Sequence, residues 1–232
     1  MQYFFLVSGI IIAVIFNIMR KPRVTLNMVI VKGIASLCFV FTALFAFVGN
    51  PQCPDYLGAL IVTGACFGLI GDIVLDSKYL YKADEDKYLN TGFISFLIGH
   101  LFYCAGMIYK YGFNAYVFGF TGLCVICGIA FALIAEKVLK LRYGKFKLVT
   151  TLYASVLNSA FGMAFAYAVA EPSAHTIVFT VGMFLFLLSD CILSRTYFSL
   201  NEKDRNSRVA VVLNHSAYYS AQFLIAFSLV LI

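Results

Sequence analysis

The chain has 232 residues, of which 62% are hydrophobic and 12% charged, and its mean hydropathy is +0.91. A soluble domain of this length needs about a quarter of its residues charged, so a polytopic membrane protein is the class that remains. The formal charge of +6 would suggest nucleic acid in a soluble protein; in a membrane protein basic loops set orientation instead, and no nucleic-acid partner is expected.

Apolar runs fall at 3–19, 27–48, 57–77, 91–110, 114–135, 148–170, 174–194 and 209–232. At 1.5 Å per residue, runs of about 17 to 24 residues cross the hydrocarbon core. Backbone groups in lipid must bond within their own segment. The expected fold is therefore an all-α polytopic membrane protein, one domain over 1–232, built as a bundle of eight transmembrane helices. The first run lacks a basic n-region and an A-x-A-like cleavage site, so it reads as a spanning helix and not as a signal peptide. Gly49-Asn50-Pro51 and Pro54 stop the second helix, and Asn90, Asn114 and Ser173 are candidate N-caps of the fourth, fifth and seventh. Asp84, Glu85 and Asp86 read as a solvated loop, and His175 as a solvated residue at the outer interface. Six of the seven Cys lie inside apolar runs, where they act as small hydrophobes; Cys124-x-x-Cys127 lacks the βαβ context of a redox motif.

Lys and Arg orient the bundle. Arg20, Lys21, Arg23 and Lys32 lie around the first loop, Lys78, Lys82 and Lys87 around the third, Lys137, Lys140, Arg142, Lys145 and Lys147 around the fifth, and Arg195, Lys203, Arg205 and Arg208 around the seventh. Only Lys110 lies on the opposite side. By the positive-inside rule both termini are non-cytoplasmic. The bacterial plasma (inner) membrane is the favoured location, with the endoplasmic reticulum as the eukaryotic counterpart. GDIVLDSKYL (71–80) and SDCILSRTYF (189–198) share Asp72/Asp190, Leu75/Leu193 and Tyr79/Tyr197, each closing the third helix of a half. A 4+4 duplication would explain this, and so would chance.

Polar residues then gather at one depth. Asp72 lies six residues before Lys78 and Asp190 five before Arg195, which puts both about 8–9 Å from the cytoplasmic end. Lys32, Asp76 and His215 share that depth, while His100, Asn158 and Gln222 lie deeper. Asp72 and Asp76 are spaced i, i+4; Phe93, Phe96, His100 and Tyr103 form one stripe, Thr151, Ser155, Asn158 and Gly162 another, and His215, Tyr218/Tyr219 and Gln222 a third. Ionisable groups in such segments point to a functional site by default. Lys32 could equally snorkel to the interface, Asp76 could be an interfacial residue at the site mouth, and Thr151 and Ser155 could be helix-packing glue. Two carboxyl groups at one depth suit general acid–base work, one protonated and one ionised. There is no GxSxG elbow and no HExxH spacing, so neither a serine nucleophile, a metal nor any other cofactor is expected.

Gly71-Asp72-x-x-Leu75, Phe96-x-x-Gly99-His100-x-x-Tyr103, Leu188-Ser189-Asp190 and Tyr218-Tyr219-x-Ala221-Gln222 together resemble the YhhN family of eight-helix membrane proteins, which includes the lysoplasmalogenases. Lys32 is followed by Gly33 where the family usually has Lys-Pro. The resemblance implies hydrolysis of the vinyl-ether bond of a lysoplasmalogen, a lysophospholipid drawn from the bilayer, to a fatty aldehyde and a glycerophospho-base. Asp72 and Asp190 match the family's two acidic positions and would be the catalytic pair. Lys32, Asp76, His100, Tyr103, Asn158, His215, Tyr219 and Gln222 would position the carboxylates, the water or the substrate. The competing reading is a proton-coupled small-molecule or lipid transporter built on the same intramembrane Asp, Lys and His cluster.

Overall fold

Long apolar runs without proline become helices because each backbone group then bonds within its own segment. In the computed structural model, which describes residues 1–20 and 24–232, these are α1 (Gln2–Met19), α2 (Leu26–Gly49), α3 (Asp55–Ser77), α4 (Glu85–Tyr111), α5 (Ala115–Val138), α6 (Lys147–Ala170) and α7 (Ala174–Phe198). A one-turn helix, α8 (Glu202–Arg205), interrupts the last connection before α9 (Arg208–Ser228). Lys21 and Arg23, assigned above to the first loop, lie outside the described residues.

The caps follow the sequence at two of three sites. The Asn114 side chain accepts from the Val117 N–H at the start of α5, and Ser173 forms a capping box with Thr176 at the start of α7. Asn90 caps nothing; it lies inside α4, which starts earlier, at Glu85. The acidic residues expected in a solvated loop form this start instead: Asp84 is the N-cap residue, and Glu85 and Asp86 occupy the first turn, where negative charge meets the positive end of the helix dipole.

Among the described residues, seven helices are long and apolar enough to cross a membrane, against the eight expected. The difference is α9. It has 21 residues, but Asn214, His215, Ser216, Ser220 and Gln222 dilute its apolar content. It nevertheless runs antiparallel to α7 over the same thickness. His175 near the start of α7 bonds to the Ser228 carbonyl at the end of α9, and Asn214 early in α9 bonds to Ser189 late in α7. His175 is thus not a solvated residue: it is 1% exposed, and Nδ1 donates to Ser228 O at 2.8 Å.

Neighbour packing repeats between the halves. α1 lies on α2, α2 on α3 and α3 on α4; likewise α5 lies on α6, α6 on α7 and α7 on α9. The halves join through α4 on α6 and α2 on α9. α1 and α5 are the least buried of the long helices, and their apolar side chains face outward. The α3–α4 pair is held close at one point: a Cβ on Gly99 would sit 2.9 Å from Gly64 O, and a Cβ on Gly64 would sit 2.4 Å from the Tyr103 ring. Small residues permit this backbone approach, as is usual in membrane helices.

Gly99→Val would force α3 and α4 apart, at a cost of about 1–3 kcal/mol for overpacking. The expected outcome is a lower thermal midpoint of the detergent-solubilised protein. An unchanged midpoint would show that the contact is not tight.

Candidate active site

The site starts from four charges that hydrocarbon cannot solvate. Asp72 and Asp76 sit one turn apart on α3 and are 2% and 1% exposed. Lys32, on the facing side of α2, places Nζ 3.2 Å from Asp72 Oδ1 and 3.4 Å from Asp76 Oδ1. It makes an ion pair and does not snorkel. Arg20, just after α1, grips Asp76 with both terminal nitrogens, at 2.8 and 3.3 Å, and stacks against Phe16 and Tyr79. Asp76 is therefore a buried structural anion, not a residue of the mouth. Two cations and two carboxylates balance.

Asp72 is held by more than charge. Its Oδ2 accepts from Ser36 Oγ and from Tyr218 Oη, each at 2.6 Å. Tyr218 in turn accepts from Gln222 Nε2 at 3.2 Å, and Gln222 Oε1 accepts from Tyr103 Oη at 2.9 Å. A polar chain thus runs from α4 through α9 to α3. Tyr219 donates to the Lys32 carbonyl at 3.3 Å, tying α9 to α2. Gln222 fits because α3 carries Gly68 opposite it, where a Cβ would lie 2.6 Å from Nε2.

Asp190, on α7, has a different environment. Tyr153 of α6 donates to its carboxyl group, and among the described residues no cation lies within ion-pair distance. Beside it, Asn214 Nδ2 donates to the Ser189 carbonyl at 2.7 Å. Asp190 faces two cavities. A small polar cavity is lined by Lys32, Asp72, Asn214, His215 and Tyr218 as well as Asp190. A larger cavity, walled by apolar residues of α4 to α7 such as Phe93, Phe131, Leu157 and Leu187, shares Asp190, Leu193 and Tyr197 with it. The two carboxyl groups singled out from sequence depth therefore line one cavity.

The other expected residues fall into place unequally. His215 lines the polar cavity, with Nδ1 turned to Val211 O at 2.7 Å. His100 is buried edge-on against Phe186 and Tyr153; Nδ1 donates to Phe96 O at 2.7 Å and Nε2 has no protein partner. Asn158 lines the apolar cavity, but its amide donates back to Ala154 O. The stripe Thr151, Ser155, Asn158, Gly162 packs on α5 through Gly128 and Cys124, so it is mostly a packing face. The face of α6 that reaches Asp190 carries Tyr153, which the polar pattern did not reveal. Arg20, counted only as an orienting charge, and Ser36, one turn after Lys32, were also missed. The i, i+4 spacing from Lys32 was the available signal for Ser36.

Lys78 closes this cluster at the C-terminal end of α3. It is 4% exposed, with Nζ 3.3 Å from the centre of the Tyr197 ring and 5.0 Å from that of Tyr79. Burial lowers its ammonium to about 8, while Glu85 and Asp76 oppose that shift. Because the folded value lies below the unfolded one, the unfolded chain holds more protons between the two, and stability rises with pH there. The thermal midpoint should rise between about pH 8 and pH 9.5 and be flatter in Lys78→Met. A parallel rise in that variant would exclude Lys78 as the cause.

Lys32→Met leaves two buried carboxylates with one cation. Losing one partner of a buried pair costs about 3–5 kcal/mol. The melting temperature should fall, and adding Asp76→Asn should recover part of the loss. No recovery would mean that the pairing is not what holds this region.

Neither the curated proteins nor the solved structures yield a match to the chain. The sequence profile of the YhhN family matches residues 26–229, from the start of α2 to just past the end of α9. That span carries Asp72, Asp76 and Asp190 with every partner described above except Arg20, and it makes the chain a member of the YhhN family.

Proposed function

We propose that this protein is a membrane-embedded hydrolase that cleaves the vinyl-ether bond of lysoplasmalogens. The observation that carries the reading is the unequal pair of carboxyl groups in one cavity: Asp72 with a cation and two hydroxyl donors, Asp190 with one tyrosine. A buried carboxylate without a cation is costly in hydrocarbon, so Asp190 is the group suited to carry a proton. Asp72, compensated by Lys32, is suited to remain an anion.

The chemistry needs one of each. The Asp190 carboxyl protonates the outer carbon of the vinyl ether, giving an oxocarbenium ion. The Asp72 carboxylate stabilises that cation and takes a proton from the attacking water. The resulting hemiacetal collapses to a fatty aldehyde and a glycerophospho-base. Asp190 regains its proton from Asp72 through water. The apolar cavity beside Asp190 is the proposed seat of the alkenyl chain, and Phe93, Leu157 and Leu187 exclude water around it.

The positive-inside rule supports a cytoplasmic placement of the Lys78 and Arg195 ends of α3 and α7. With α9 taken as an eighth span, the same rule would put both termini on the non-cytoplasmic side of a bacterial plasma membrane.

Purified protein should release aldehyde from a lysoplasmalogen in detergent or vesicles. Asp72→Asn and Asp190→Asn should each lower kcat by about 10²–10⁴, the usual worth of an acid–base group. Full activity in either variant would sink the assignment. Substrate flux into proteoliposomes without lipid turnover would favour the carrier reading instead.

A further inference from the structure

A second polar pocket borders the charge quartet, with Arg20 in its wall. Its described lining is Arg20, Val24, Tyr79, Arg205, Asn206, Arg208 and Val211. Three arginines and no carboxylate form its wall. Arg20 is its buried floor, fixed on Asp76 and between the rings of Phe16 and Tyr79. Arg208 makes no ion pair among the described residues, and Arg205 only a long one, 3.7 Å, to the exposed Glu202.

The segment that presents these arginines is held in place. Asp204 accepts from Arg195 at 3.1 Å and from Ser199 at 3.0 Å, which fixes α8 and so Arg205. Ser207 caps α9 by accepting from the Ala210 N–H, and the pocket meets the first turn of that helix, at Arg208 and Val211. The positive end of a 21-residue helix therefore adds to the guanidinium groups.

We infer that this pocket binds a phosphate group, that of the single-chain phospholipid whose reactive bond lies at Asp72 and Asp190. Arginine forks and a helix N-terminus are the usual receptors for phosphate oxygens. The spacing fits. Arg20 is held at Asp76, one turn or about 6 Å from Asp72 along α3. In a glycerophospholipid about five bonds separate the ether oxygen from phosphorus, about 6 Å when extended. Tail cavity and carboxyl pair share Asp190, and the arginine pocket joins the carboxyl pair through Arg20 and Asp76, a linkage that matches tail, ether and phosphate in the lipid. The identity of that lipid rests on the function proposed above; the phosphate site does not.

The test is a binding measurement that needs no turnover. Wild-type protein in neutral detergent is titrated with a 1-O-alkyl lysophospholipid, which has no vinyl bond, and with the matching 1-O-alkylglycerol, which has no phosphate. The phosphate-bearing lipid should bind at least tenfold tighter, and the preference should shrink with added salt. Arg205→Gln with Arg208→Gln should erase the preference and leave alkylglycerol affinity unchanged; both residues are exposed, so the variant should fold. Equal affinity of the two lipids for the wild type, or an intact preference in the double variant, overturns the proposal. Inorganic phosphate binding the pocket, with no gain for the phospholipid, would assign the site to a free anion and overturn the lipid assignment. Failure of the hydrolase reading would appear separately, in the aldehyde assay.

Discussion

Charge balance inside hydrocarbon is the constraint on which the rest depends. Lys32 and Arg20 answer Asp72 and Asp76 one for one, and the four residues come from α2, the end of α1 and α3. An isolated charge at that depth costs several kcal/mol, so the helices that carry these groups are tied to one arrangement. Tyr218 and Gln222 extend the tie to α9 and, through Tyr103, to α4. Among the described residues, Asp190 is the site carboxyl group that stands outside the balance. Its exclusion from the cation network is what makes the pair of carboxyl groups chemically unequal.

That inequality sits on a repeated frame. The packing order of α1 to α4 recurs in α5, α6, α7 and α9, and Asp72 and Asp190 occupy matching places on α3 and α7. The matching helices before them differ. α2 brings Lys32 and Ser36 to Asp72, whereas α6 brings only Tyr153 to Asp190. A 4+4 duplication would deliver two equivalent carboxyl groups, and divergence of the preceding helix would then divide their roles.

The sequence carried most of the fold, because spanning helices announce themselves by length and apolarity. It failed where polar side chains were judged by position alone. Asn90 looked like a cap because the acidic residues before it looked like loop, yet negative charge favours a helix start. His175 looked solvated because it follows Pro172 and Ser173; an antiparallel partner, α9, covers it. The run at 209–232 reads as a spanning helix, yet α9 falls short of the apolarity of the other seven because it lends Asn214, His215, Tyr218 and Gln222 to the site. Depth arithmetic placed Asp72 and Asp190 together, since rise per residue is fixed. It could not find Arg20 or Tyr153. A loop arginine folding inward and a tyrosine on an otherwise apolar face leave no periodic trace.

The division of the interior into two chambers that share Asp190, Leu193 and Tyr197 bears on how a turnover would end. Scission of an amphiphile at that junction yields one product soluble in hydrocarbon and one soluble in water. If the proposed hydrolysis takes place there, each fragment would form on the side of the junction whose lining suits it, and neither would have to pass the reacting centre. Release would then run in opposite directions, and the bilayer itself would dilute an aldehyde away from the alcohol with which it could recombine.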